Sequence, residues 1–464
     1  MKYVSTRGQA PQLDFADVLL AGPAADGGLY VPEAWPALPE GWSTPRPYAE
    51  LAAGVVWPYI DGLQPAGAET SMWALTRAEL DAMVAEAYAT FAHPDVVPLV
   101  ELEPGLHVME LFHGPTLAFK DVALQLVGRL FDAELRRRGE RATILVATSG
   151  DTGSAAIAGC AGRDTLDIVV LHPAGRVSEV QRRQMTTIDA PNVVNIAVEG
   201  TFDDCQDLVK ATFADAALRE RLHLSAMNSI NWARIAAQIP YYVAAVAAVG
   251  PAAVAVPSGN FGNILAGWIA RRGGAPIDSL VVGSNRNDIL ARWVATGALV
   301  AEGVEPTLSP SMDIQVSSNH ERLLFELSGR DGAATAEWMT RFRQLGAVEV
   351  PVDPVFAAAA VDDATTLAEM RDLHRRTGYL ADPHTAVGIA AARAAGVVTG
   401  DRPVVCMATA HPAKFPDAVE QATGVRPPLP DHLADLLSRP ERYESLPAEL
   451  DALRARLTRL GADH

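Results

Sequence analysis

Lys120 lies in the run HGPTLAFKDVALQ, His113–Gln125, between Phe119 and Asp121-Val122. Taking an ammonium out of water disfavours its charged form, so a lysine at the mouth of an apolar helical run either snorkels into solvent or serves as a reactive amine. Three other stretches set hydroxyls, amides and glycines at the ends of apolar, strand-like runs. ATSGDTGSAA carries Ser149, Gly150, Asp151 and Thr152; AVPSGNFGNILAG carries Ser258, Gly259, Asn260, Phe261, Gly262 and Asn263; MATAHPAKF carries Thr409, His411 and Lys414. Glycine at a strand-to-helix turn lets the backbone approach a ligand, and a helix N-terminus offers N–H groups and partial positive charge to an anion. The same residue types fill ordinary turns, but two such loops together with the lysine favour a compound anion site. Neither loop continues into GK[ST], and no GxGxxG with a downstream acid follows a first strand, which disfavours a nucleotide.

A small ligand that needs an anion cradle, a reactive amine and a hydroxyl at a strand end is pyridoxal 5'-phosphate (PLP). Its phosphate suits backbone N–H groups at a helix start, its aldehyde a neutral amine, and its pyridine nitrogen a polar partner.

The elements that must hold these residues follow from continuous apolar runs. RATILVAT (141–148), LDIVVLHP (166–173), NVVNIAVEG (192–200), AAVAVP (252–257), SLVVGS (279–284) and PVVCMAT (403–409) have strand length, with helices such as 120–139 and 154–162 between them. Uninterrupted apolar strands alternating with helices predict a parallel sheet covered on both faces, an α/β protein. In such sheets ligands sit beyond the carboxyl ends of the strands, where the three loops fall. The Pro- and Trp-rich opening, with GPAADGGLYVPEAWPALPEGW as an irregular stretch, predicts an appended N-terminal domain over 1–97. A smaller α/β domain is expected over 98–200, and a larger one with a helical C-terminal tail over 201–464.

The 464 residues, 49% hydrophobic and 20% charged, have the balance of a soluble globular enzyme of two or three domains. The net charge of −18 argues against a nucleic-acid partner. Cys160, Cys205 and Cys406 are far apart in sequence and form no CxxC pair, so buried free thiols are expected rather than disulfides or a metal site. The polar start MKYVSTRGQAPQLDF has no apolar signal core, and IPYYVAAVAAVGPAAVAV is broken by Pro240, Gly250 and Pro251. Neither a secretory signal nor a membrane span is expected, and the cytoplasm is the expected compartment.

Taken in order, FHGPTLAFKD, ATSGDTGSAA, NSINWARI, VPSGNFGN, SMDI and ATAHPAKF resemble the threonine synthase family of fold-type II PLP enzymes, relatives of tryptophan synthase β and cysteine synthase. MKYVSTRG and DGGLYVPE resemble the longer microbial and fungal form. The resemblance implies two parallel-sheet α/β domains and conversion of O-phospho-L-homoserine and water to L-threonine and phosphate. It puts the cofactor on Lys120 as a Schiff base, with Phe119 packing nearby. It puts the cofactor phosphate on Gly259, Asn260, Phe261, Gly262 and Asn263, and the pyridine nitrogen near Thr409. The Ser149-Gly150-Asp151-Thr152 loop would hold the substrate carboxylate, although an acid at Asp151 is an odd neighbour for one. The leaving phosphate would fall to Arg234 and Lys414, with Ser149, Asn228 and Asn231 as neutral donors. No metal is implied, and the oligomeric state stays open between monomer and homodimer.

Several residues carry plainer readings. Arg234 could brace a helix, His411 could be a structural hydrogen-bonder, and Asp313 could cap a helix. His113 reads as a positioning residue of its turn and Asp121 as a first-turn carboxylate suited to the helix dipole. Another fold-type II PLP lyase would keep Lys120 and the GNFGN loop, whereas a non-catalytic anion-binding homologue would be expected to lose the lysine.

Overall fold

The structure is a computed structural model that describes residues 1–60 and 75–460. The parts of the expected 1–97 and 201–464 domains that fall on 61–74 and 461–464 lie outside the described residues. By internal contacts the chain forms two compact units. The larger comprises Met1–Val18, Pro23–Phe119 and Ser229–Pro427; the smaller comprises Leu19–Gly22, Lys120–Asn228 and Pro428–His464. These divisions fall elsewhere than the expected ones after 97 and 200. The opening residues explain part of the difference. Thr6 and Arg7 both donate to Glu321, at 2.8 to 2.9 Å, and the indole of Trp232 donates to the Tyr3 hydroxyl at 2.9 Å. The first residues are thereby tied to side chains of the larger unit.

In the larger unit a six-stranded sheet runs in the order Phe356–Ala360, Ile277–Ser284, Ala252–Pro257, Val404–Ala408, Leu106–Glu110, Leu99–Glu103. All neighbours are parallel except the last pair, an antiparallel hairpin that turns at Pro104-Gly105 with Gly105 at φ +77°. The continuous apolar runs predict the parallel strands; the hairpin departs from that expectation. The helix Pro383–Ala394 packs on four of these strands, most closely at glycines: a Cβ on Gly388 would stand 3.1 Å from the Pro257 ring, and one on Gly283 would stand 3.2 Å from the Gly388 Cα. The irregular opening contains a three-stranded antiparallel sheet, Leu13–Asp14, Lys2–Ser5 and Tyr30–Pro32.

The smaller unit is built on five parallel strands, ordered Glu444–Pro447, Val193–Glu199, Leu166–Pro173, Ala142–Ala147, Leu224–Ser225. Leu166–Pro173 is buried along its whole length, as a central strand covered on both faces must be. The tail expected to be helical supplies an edge strand, Glu444–Pro447, before its one α-helix among the described residues, Leu450–Leu460. Leu453 and Leu457 of that helix join the core of this unit with Leu171, Ile196 and Val198. The three cysteines are buried free thiols, as expected. Burial pushes Cys160 and Cys406 up to about 12 and Cys205 up to about 11.

The helices Lys120–Arg138 and Asp151–Cys160 lie backbone to backbone. A Cβ on Gly128 would stand 2.2 Å from the Gly159 carbonyl oxygen, and one on Gly159 would stand 2.5 Å from that of Leu124. Gly159→Ala is therefore expected to destabilise the protein by about 1–3 kcal/mol through overpacking, read as a lower urea midpoint; an unchanged midpoint would show that the helices can part freely.

Candidate active site

Lys120 and Asp151 are the first residues of those two helices, and the contacting glycines lie the same distance along each. The helix starts are thereby held in step. Lys120 Nζ stands 3.2 Å from Asp151 Oδ2, with both side chains largely buried. A cation at a helix start opposes the macrodipole and a carboxylate there suits it, so Asp151 offsets an otherwise unfavourable position for the amine. Gln181, on the helix Glu179–Thr186, donates from Nε2 to Asp151 Oδ1 at 2.8 Å and accepts from Ser178 Oγ at 3.1 Å. The acid that looked odd for a carboxylate-binding loop thus pairs with a cation and an amide.

The Ser149–Thr152 loop is shaped from beneath. Thr148 Oγ1 accepts from the N–H groups of Gly150 and Gly153, at 3.0 and 2.9 Å. Gly150 takes φ +148°, and a Cβ there would meet the Gln181 amide at 2.5 Å. Gly150, the residue before the helix, has no side chain of its own to cap it. The helix that carries Gln181 is clamped by Glu441, which accepts from Arg182 at 2.8 and 3.0 Å and from Thr186 Oγ1 at 2.8 Å.

In the larger unit the strand Ala252–Pro257 runs into Ser258–Phe261 and the helix Gly262–Arg272. Gly259 O accepts from Ser317 Oγ at 2.6 Å, and Asn260 O accepts from the backbone and side-chain N–H groups of Asn319 at 3.2 Å. The carbonyls are thus taken up. Among the described residues, no acceptor takes the N–H groups of Gly259, Asn260, Phe261 or Gly262, and no side chain caps the helix. Phe261 is held at φ +63° with its ring against His320, Trp293 and Phe356. Asn263 is buried, its Oδ1 accepting from the hydroxyls of Tyr241 and Tyr242 at 2.6 and 2.7 Å.

Thr409 is buried just past the strand Val404–Ala408, and its carbonyl accepts from Phe119 N at 2.9 Å. Leu117 takes a left-handed φ of +61°, so the HGPTL turn stores backbone strain. Lys414 is fully buried and donates to Thr116 O at 2.6 Å. His113 pairs with Glu110 at 2.7 Å, and Glu110 also accepts from Tyr379 at 3.0 Å, a bracing arrangement. His411 Nδ1 accepts from Ala413 N at 3.1 Å. Arg234 is buried on the short helix Trp232–Ala236, whose start Asn231 caps; burial lowers its guanidinium to about 10. Asn228 is half-buried and Asp121 fully buried. Asp313 accepts from Asn285, Asn287 and Thr307 and thereby closes the 285–313 segment. Sequence reasoning missed Gln181, Ser317 and Asn319; each acts from an element remote in the chain, and only the Asn in SSNHER hinted at a turn.

The arrangement offers an amine next to a carboxylate and, separately, an uncapped helix start with spare N–H donors. Family models agree with this chemistry. "Pyridoxal-phosphate dependent enzyme" matches residues 96–410, "Threonine synthase N terminus" residues 2–88 and "Threonine synthase, C-terminal" residues 385–456.

The chain belongs to the threonine synthase family of PLP-dependent enzymes.

It is 50% identical to threonine synthase of Pseudomonas aeruginosa, with 99% of each chain covered. The PLP-bound threonine synthase structure from Brucella melitensis superposes with a TM-score of 0.93 at 47% identity, covering 99% of both chains. The yeast threonine synthase structure does so at 0.91 and 34% identity, covering 100% of this chain and 99% of its own. The fold is that of the fold-type II PLP enzymes, with an N-terminal segment characteristic of this family.

The residues present fit the cofactor. Ser258 Oγ is buried with no partner among the described residues, and it enters the same turn whose N–H groups are left over. Spare donors at an uncapped helix start suit a phosphate. Among the described residues no His, Cys, Asp or Glu side chains group as a metal centre, and no helix is long and apolar enough to cross a membrane.

Removing the Thr148 hydroxyl in Thr148→Val is expected to leave two N–H groups without their acceptor, costing about 1–3 kcal/mol. Hydrogen exchange at Gly150 and Gly153 should accelerate; unchanged protection would show that Thr148 does not shape the loop.

Proposed function

We propose that the chain converts O-phospho-L-homoserine and water to L-threonine and phosphate, the last step of threonine biosynthesis, in the cytoplasm. The observation that carries the reading is the Lys120–Asp151 pair at two aligned helix starts. PLP, when bound, supplies an electron sink for negative charge on the carbons beside the substrate nitrogen.

This chain's own groups do the rest. Lys120 takes the cofactor and supplies the amine that removes the proton at Cα and carries protons at Cβ. Asp151, fixed by Gln181, holds that amine in place and stabilises it when it is protonated. Ser149, Gly150 and Thr152, at the start of this helix, receive the substrate carboxylate. The turn Gly259–Asn263 would hold the cofactor phosphate, with Phe119 as the packing neighbour of the ring and the Thr409 hydroxyl as the polar partner of the pyridine nitrogen. A hydroxyl cannot protonate that nitrogen as a carboxylate would, which moderates the sink. Asn228, Arg234 and Lys414 serve the departing phosphate. At neutral pH Arg234 keeps its charge even at about 10.

Borohydride treatment of the PLP-loaded enzyme should leave a pyridoxyl group on Lys120, found by peptide mapping; a pyridoxyl group on another lysine would refute the assignment. Lys120→Ala should remain folded and release no phosphate from O-phospho-L-homoserine, and near-normal turnover would be fatal to the reading. Asp151→Asn should lower kcat by about 10²-fold while the variant still takes up PLP. Faster phosphate release from O-phosphoserine than from O-phospho-L-homoserine would favour a different lyase of this fold.

A further inference from the structure

We propose that His384 is a positioning residue for the anion-binding turn Ser258–Asn263, acting through the backbone of Ser311; this rests on the reading of that turn as the PLP phosphate site. Asp382 and His384 are both buried at the start of the helix Pro383–Ala394. Asp382 Oδ2 stands 2.7 Å from His384 Nδ1 and accepts from His384 N at 3.0 Å, while Oδ1 accepts from the Thr385 N–H at 3.0 Å and from the Thr385 hydroxyl. A carboxylate facing Nδ1 keeps the proton there and leaves the Nε2 lone pair as an acceptor. That lone pair takes the Ser311 N–H at 3.2 Å. The imidazole plane is fixed against the Phe415 ring, 4.8 Å away between centroids.

Ser311 is where this support reaches the turn. A Cβ on Gly259 would stand 2.7 Å from Ser311 O and 3.3 Å from Met312 Cα, so the two backbones are in direct contact. A few residues on, Ser317 and Asn319 hold the carbonyls of Gly259 and Asn260. The segment 311–319 is thus a mould that turns those carbonyls away and leaves the N–H groups for an anion. Its near end is set by His384 and its middle by Asp313, whose carboxylate gathers Asn285, Asn287 and Thr307. The helix that carries His384 is itself packed onto the strand leading into the turn, at Gly388 and Pro257. His384 therefore fixes the mould and the strand end relative to each other without touching the anion.

The test uses full-length apoprotein and compares inorganic phosphate, PLP and pyridoxal, which lacks the phosphate, by equilibrium titration. His384→Ala is expected to weaken phosphate and PLP by about tenfold, the equivalent of one lost buried hydrogen bond, and to leave pyridoxal within about twofold. His384→Gln, whose amide oxygen can accept from Ser311, should recover most of the loss. Should His384→Ala fail to fold, Asp382→Asn keeps the side-chain volume, frees the imidazole tautomer and should show the same selective loss, smaller in size. Unchanged phosphate affinity in a folded variant, or equal loss of phosphate and pyridoxal, overturns the proposal alone. Wild-type protein that binds neither phosphate nor PLP overturns the underlying reading with it.

Discussion

Two helices that touch through Gly128 and Gly159 leave no room for a side chain at the crossing, and the placing of Lys120 depends on it. A glycine eight residues inside each helix fixes their register as well as their separation, so the starts stay level about 12 Å away along the axes. Sliding one helix by a single turn, about 5.4 Å, would take Asp151 out of reach of the amine. The ion pair is largely buried and weakly screened, so its geometry matters more than that of the many ion pairs on the surface. Gln181 then decides which carboxylate oxygen faces the lysine.

The turn Ser258–Asn263 obeys the same logic in the other unit. Its backbone takes a conformation that side chains resist, with Phe261 at a left-handed φ. Such strain costs on the order of 1–3 kcal/mol per residue and persists only where neighbours over-determine the conformation. Here the neighbours are aromatic: Trp293 and His320 lie with ring centroids 4.2 Å apart, and both meet Phe261 edge-on. Burial lowers His320 to about 3, so the imidazole is neutral inside this cluster at neutral pH. The strain is thus supported by packing that carries no charge next to the anion turn.

What the sequence reveals divides by range. The long strands are legible because buried parallel strands need continuous apolar runs, and AAVAVP and LDIVVLHP show them plainly. The turns after them are legible because glycine, serine and asparagine cluster there. Glu444–Pro447 was not legible: ESLP has no β-branched residue, and it is a strand only because Val193–Glu199 offers it an edge. Gln181 lies 30 residues from Asp151, and His384 lies 73 residues from Ser311. No local pattern announces such pairs, because the hydrogen bond is made by packing of whole helices. Asp151 shows both sides of this. Its place in a strand-to-helix turn could be read directly, but not that it opens the helix, which was expected from 154 and starts at Asp151, nor could its partners.

The edge strand Glu444–Pro447 also has a consequence for synthesis. A ribosome delivers Val193–Glu199 roughly 250 residues before the segment that pairs with it, which at about 5–20 residues per second is a delay of about 10–50 s. Through that interval VVNIAVE stands at the margin of its sheet with one row of N–H and C=O groups unmatched, the configuration most prone to pairing with a neighbouring nascent chain. The Glu441 clamp on the helix bearing Gln181 arrives with the same late segment. The unit that carries the lysine therefore cannot close in the order in which it is made, and chain order, as much as packing, decides when it becomes whole.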